Sequence, residues 1–130
     1  MVGIIWFVQV VHYPLFSSVG ETGFPAYSEA HSRLTGHVVG PPMLAEATTT
    51  VLLVVPRPSG IPVYLAWVGL VLLAVVWIST ALLQVPRHTK LGLGFDNAEW
   101  ASLVATNWVR TASWSLRAIV ALAMVAFTMN

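Results

Sequence analysis

The chain has no cysteine and little charge: six Lys and Arg and five Asp and Glu among 130 residues, 8% where a soluble domain carries about a quarter. Without thiols there are no disulfides, thiolate metal sites, protein-held iron–sulfur clusters or cysteine nucleophiles, and the redox compartment stays open. The formal charge of +1 forms no basic run, so nucleic-acid binding has nothing to rest on. Internal repeats, low-complexity tracts and linkers are also missing, and 130 residues make one domain. No H-x-x-x-H spacing occurs, so a bound metal or haem is only weakly signalled, with His12 and His88 as the candidate ligands.

What is present is apolar. Hydrophobic residues make up 57% of the chain and the mean hydropathy is +0.78, which points to an integral membrane protein. Four spans are expected, at about residues 1–16, 35–55, 63–85 and 100–129. The third is clearest, with 23 residues and no charge. The first reaches only about 24 Å, so either it thins the bilayer or a turn or two of helix precedes it. It lacks the charged start and cleavage site of a signal peptide.

Ahead of the second span, Phe24, Tyr27, His31 and Leu34 form a stripe at helical spacing, which predicts an amphipathic lead-in helix beginning near Pro25. Pro41 and Pro42 are expected to bend that helix. The fourth segment, 97–129, corresponds to about 50 Å of helix and must project beyond the hydrocarbon. Asp96 or Asn97 can cap it, with Glu99 near its positive end. The expected fold is all-α: a transmembrane up-down four-helix bundle with a kinked second helix and a long fourth helix.

Depth identifies the chemistry. Arg117 precedes twelve residues, 118–129, that are apolar apart from Thr128, a rise of about 18 Å, so its guanidinium lies inside the hydrocarbon. Glu46 sits about 14 Å from the same boundary, counted back from Val55. Each charge alone would be costly, and their mutual contact explains both.

Further polar groups gather toward the opposite side: Gln9 and His12 on the first span, Gln84 and His88 at the end of the third, and Asn107 and Arg110 on the fourth. Asn107, Arg110, Trp114 and Arg117 fall within an arc of about 80° on a helical wheel. This predicts a pocket floored by Glu46 and Arg117, with Trp114 stacked between the guanidinium groups. Glu46, Arg110, Arg117, His12 and His88 are the candidate catalytic residues; Gln9, Gln84, Asn107 and Trp114 are candidates for holding a ligand. His31 and His37 are expected at an interface or in a loop. The remaining tryptophans fit aromatic belts, and the methionines fit packing rather than copper ligation.

The strings Trp6-Phe7-Val8-Gln9-Val10-Val11-His12-Tyr13-Pro14, Pro41-Pro42-Met43-Leu44-Ala45-Glu46, Leu83-Gln84-Val85-Pro86-Arg87-His88 and Asn107-Trp108-Val109-Arg110-Thr111 give the chain a likeness along nearly its whole length. It resembles a group of uncharacterised small bacterial four-span membrane proteins, more distantly similar to the anthrone-oxygenase-like membrane family. The close group implies no activity, and its members tend to have a longer first span. The distant likeness implies at most oxygen-dependent chemistry on a hydrophobic aromatic substrate, in the bacterial cytoplasmic membrane.

Two functional readings follow. In the first, the chain is a structural or accessory subunit of a membrane complex, or a homo-oligomer, whose buried polar groups fix helix register. In the alternative it is a membrane enzyme or binding protein for a small lipophilic, quinone-like or aromatic molecule. There His12 or His88 shuttles a proton, Arg110 and Arg117 stabilise an oxyanion, and Glu46 orients Arg117. A channel is disfavoured, because the other half of the bundle offers no polar exit. Arg33, Arg87 and Lys90 flank the two longer loops, against Arg57 alone on the opposite side, which places both termini outside the cytoplasm. A periplasm-dependent reporter fused after Asn130 is expected to be active, and activity only from a cytoplasm-dependent reporter would reverse this orientation.

Overall fold

A computed structural model describes residues 1–56 and 58–129; Arg57, counted above for orientation, and Asn130 lie outside the described residues. The described residues form four helices and no strand: α1 (Val2–Ser18), α2 (Phe24–Val54), α3 (Val63–Gly92) and α4 (Asn97–Met129). Of these, α3 and α4 are long and apolar enough to cross a membrane, and α1 is a shorter apolar helix.

Two prolines shape α1 and α3 alike. Proline has no N–H and cannot complete a regular helical turn, and the turn before each one widens. In α1 the segment Val8–His12 is a π turn, with the Tyr13 N–H reaching back five residues to the Val8 carbonyl at 2.9 Å, and Pro14 then opens a 3-10 turn to Ser18. In α3 the π turn is Thr80–Gln84, closed by the Val85 N–H on the Thr80 carbonyl, and Pro86 follows. The helix then continues to Gly92, so the loop expected after a third span ending at 85 shrinks to 93–96; a proline near the start of a helical turn is tolerated where one in mid-turn is not.

The lead-in stripe ahead of the second span is part of one uninterrupted helix, α2, which passes through Pro41 and Pro42. Phe24 and His31 are buried and Tyr27 is half-buried, whereas Leu34 is exposed. Gly20, at φ +82°, permits the reversal between α1 and α2.

α4 is the spine: α3 packs along it, and α1 crosses it through Trp6, whose Nε1 donates to Ser115 Oγ at 3.0 Å, and through Trp100, whose Nε1 donates to the Tyr13 carbonyl at 2.8 Å. α2 packs on α3, while α1 and α2 meet mainly through side chains such as Phe16 against Phe24. One apolar core gathers Ile5, Phe16, Phe24, Val76, Leu103 and Trp114, and a smaller one, Ile61, Leu65, Ala66 and Met124, closes the other end.

Asp96 caps α4, its Oδ1 accepting the Glu99 N–H at 2.8 Å, while Lys90 forms an ion pair with Glu99 across the short connection. Asp96→Ala is expected to cost about 1 kcal/mol in unfolding measured in detergent, and Asp96→Asn much less. Equal losses for both would show that the carboxylate charge, not the cap, is what matters.

Candidate functional site

The polar face of α4 turns inward: Asn107, Arg110, Thr111 and Trp114 are all buried, while large apolar side chains such as Val109 and Leu116 on the opposite face are exposed. The buried groups sort into three levels.

The first is the expected ion pair. Arg117 Nε donates to Glu46 Oε1 at 2.9 Å, Nη2 donates to Thr50 Oγ1 at 2.8 Å, and Nη1 donates to the Gly69 carbonyl. Trp114 Nε1 donates to the second carboxylate oxygen, Glu46 Oε2, at 2.8 Å. Both oxygens of the acid and all three nitrogens of the base thus have partners drawn from α2, α3 and α4. Gly69 stands where α3 comes close to α4: a Cβ there would meet Met124 at 3.7 Å and Val120 at 3.8 Å.

One level along α4, Gln9 Oε1 accepts from Asn107 Nδ2 at 2.9 Å and from Thr111 Oγ1 at 3.3 Å, and Gln9 Nε2 donates to the Val104 carbonyl at 3.1 Å. This network ties α1 to α4. Gln84 Nε2 does the same for α3, donating to Thr106 Oγ1 at 3.0 Å. Arg110 is handled differently. It donates from Nη1 to Asn107 Oδ1 at 3.2 Å, and its guanidinium carbon stands 5.1 Å from the centre of the Trp114 ring, the predicted cation–π contact on one of the two arginines.

The third level is a cluster of rings. Tyr13 Oη and His88 Nε2 share a hydrogen bond at 2.9 Å, and His12 Nε2 shares one at 2.8 Å with His31 Nδ1, which Thr35 Oγ1 also approaches at 3.2 Å. His31 and His88 stack with ring centres 5.3 Å apart, and Phe16 packs edge-on to His12, His31 and His88. His31, expected at an interface or in a loop, is therefore a correction: it is buried at the centre of the cluster, while His37 is exposed. Burial, reinforced by the His88 and His12 rings, pushes the His31 imidazole down to about 4, which keeps it neutral near pH 7. Of the two histidines weighed as metal ligands, His12 turns one nitrogen to His31 and His88 turns one to Tyr13. The described residues include no group of three or more His, Cys, Asp or Glu arranged for a metal ion.

The upper two levels face a cavity of ≈ 410 Å³. Ile4, Ile5 and Val8 of α1 and Val39 and Met43 of α2 form its apolar wall, with Trp114 at one edge. Tyr13, His31, Gln84, His88 and Arg110 form its polar end. Three buried polar atoms at that end have no hydrogen-bond partner: Gln84 Oε1, His88 Nδ1 and Arg110 Nε. Both π turns border the cavity, through Val8 and through Thr80 and Gln84. Glu46 and Arg117 do not line it, so they lie beneath the cavity rather than in it. His12 is likewise outside and reaches the cavity only through His31. Sequence reasoning did not single out Tyr13 or Thr35; Tyr13 stands four residues after Gln9 on the same helical face, the one signal that pointed to it.

No protein-family model matches the chain, nor does any curated protein or solved structure.

Because the Glu46–Arg117 pair is partly buried and shares Trp114, Thr50 and Gly69, its two members should be mutually dependent. Arg117→Met alone is expected to cost roughly 3–5 kcal/mol in detergent unfolding, and Glu46→Gln with Arg117→Met substantially less than the sum of the single losses. Strictly additive losses would show that the pair does not act as a unit.

Proposed function

We propose that the chain is an integral membrane protein of four spans that binds a small lipophilic molecule within its helices. The membrane reading is supported by an inverted distribution of polarity. Gln9, Gln84, Asn107, Arg110 and Thr111 are inside, while Leu82, Leu122 and Ile119 are exposed at 68%, 71% and 63%. In water such a chain would expose its most apolar side chains and bury its polar ones. In a bilayer both choices are favourable.

The observation that carries the binding reading is the cavity. Its volume lies within the range of roughly 300–1,000 Å³ typical of small-molecule sites, with apolar walls and a few convergent polar groups at one end. Three of its lining residues, Gln84, His88 and Arg110, each carry a polar atom that has no partner and is itself covered by protein, so the polar capacity of this end is not used up within the chain. α1 and α2 stand apart beside the cavity and meet chiefly at the ring cluster, which gives a lipophile a lateral way in from the hydrocarbon. The Tyr13–His88 pair at the polar end can donate or accept one proton next to the bound molecule.

The accessory-subunit reading has less support. It rests on buried polar groups that fix helix register, a role that Arg117 and Glu46 fit, and the cavity is the feature it does not account for.

Gly40 lines the cavity, and a Cβ added there meets no atom within 4 Å. Gly40→Leu should therefore occupy the cavity, at some cost to α2, because a side chain on the residue before Pro41 is disfavoured in the helical conformation. Purified wild-type protein is expected to bind 2-naphthoic acid or 2-naphthalenemethanol, followed by quenching of tryptophan fluorescence. The Gly40→Leu variant should remain folded, with the same helical content, yet bind at least about tenfold more weakly, the loss of roughly 1.4 kcal/mol. Unchanged binding of both probes by a folded Gly40→Leu variant would remove the cavity as the site.

A further inference from the structure

We infer that the molecule held in this cavity is a lipophilic organic acid whose anion is received by Arg110. This rests on the reading of the cavity as a binding site and concerns what that site selects.

The two arginines of α4 stand seven residues apart, on one face of the helix, and are provided for very differently. Arg117 has a carboxylate, a hydroxyl and a carbonyl. Arg110 is 8% exposed and has one amide oxygen at 3.2 Å, the face of Trp114, and the nearby Tyr13 hydroxyl; its Nε–H has no acceptor. A guanidinium carries five N–H donors and stays charged under all ordinary conditions, so a buried one calls for an anion.

The chain cannot supply that anion among its described residues. It has five acidic side chains. Glu46 is taken by Arg117 and Trp114, Asp96 caps α4, Glu99 pairs with Lys90, and Glu21 and Glu29 are exposed. The cavity therefore ends in a fixed positive charge with donor capacity left over. It has no carboxylate of its own, and the rest of its wall is largely apolar.

A carboxylate or phenolate on an apolar body matches each part. Its oxygen accepts from Arg110 in a charge-assisted bond, about twice as strong as a neutral one. Its body lies against Ile5, Val8, Val39 and Met43. A neutral alcohol of the same shape would fill the apolar part and leave the guanidinium unpaired.

The test compares 2-naphthoic acid with 2-naphthalenemethanol at neutral pH, where the first is ionised and the second is not. Wild-type protein is expected to bind the acid at least about tenfold more tightly than the alcohol, after correction for the partition of each into empty detergent micelles. In Arg110→Gln the ratio should fall toward one, and in Arg110→Lys much of it should return. The wild-type ratio decides the matter even where Arg110→Gln fails to fold. Equal affinity for both probes, with binding still lost in Gly40→Leu, would overturn the acid preference and leave the cavity as a site for neutral lipophiles. Binding insensitive to Gly40→Leu would overturn the acid preference and the cavity reading together.

Discussion

A guanidinium taken out of water must recover from protein or ligand the oxygen contacts it gave up, and the arrangement of this molecule follows from how that is done for Arg117. Its nitrogens bond to side chain and backbone on α2 and α3 while its own helix is α4. Three helices are thereby fixed in register at one level. Through Trp114, bonded to the same carboxylate, the level above is fixed as well. A buried pair of this kind contributes little net stability compared with apolar side chains of equal volume, but breaking it by removing one member is costly. Its effect here is on geometry. It holds the Trp114 ring where it both walls the cavity and meets the Arg110 guanidinium.

The upper end of the molecule obeys a different constraint. Pro14 and Pro86 come from different helices, yet each follows a π turn, and both turns border the same cavity. A π turn inserts one residue into the helical count and swings the side chains beyond it around the axis. Gln9 is buried within the first such turn and Gln84 at the end of the second. The distortions that proline imposes thus coincide with the places where amides are needed indoors. Buried amides are costly unless bonded, and each of these donates its N–H to α4, Gln9 to a carbonyl and Gln84 to a hydroxyl.

How much of this was legible beforehand depended on what can be counted along a chain. Depth can be counted: nine residues from Glu46 to Val55 and twelve after Arg117 put both charges at one level, and they bond. The facing of Asn107, Arg110 and Trp114 can be counted too, because α4 is regular from end to end. α1 and α3 are not regular, and the meeting of Tyr13 with His88 depends on two π turns that an ideal periodicity of 3.6 does not contain. His31 was misjudged for a related reason. Leu34 in the same stripe is exposed while Phe24 and His31 are inside, so the stripe marks the ring cluster over its first two turns only. The extent of α3 beyond Pro86 escaped because a proline reads as an end in sequence and can serve as the start of a further turn.

The remaining asymmetry lies between the two arginines. Were both present only to fix helix register, both would be expected to find partners within the chain, since an unmet buried charge opposes folding. Arg117 does so completely. Arg110 instead stands at the polar end of an apolar cavity, braced by Asn107 and by the Trp114 ring, with its Nε–H free of any partner. Neither Asn107 nor Trp114 neutralises the charge; each holds the planar group in one orientation. A cation that is held in place but not neutralised retains its attraction for an anion, and the apolar side chains of Ile5, Val8 and Met43 share the same cavity. The pair below joins three helices at one level, and the guanidinium above is left facing the cavity without a carboxylate of its own.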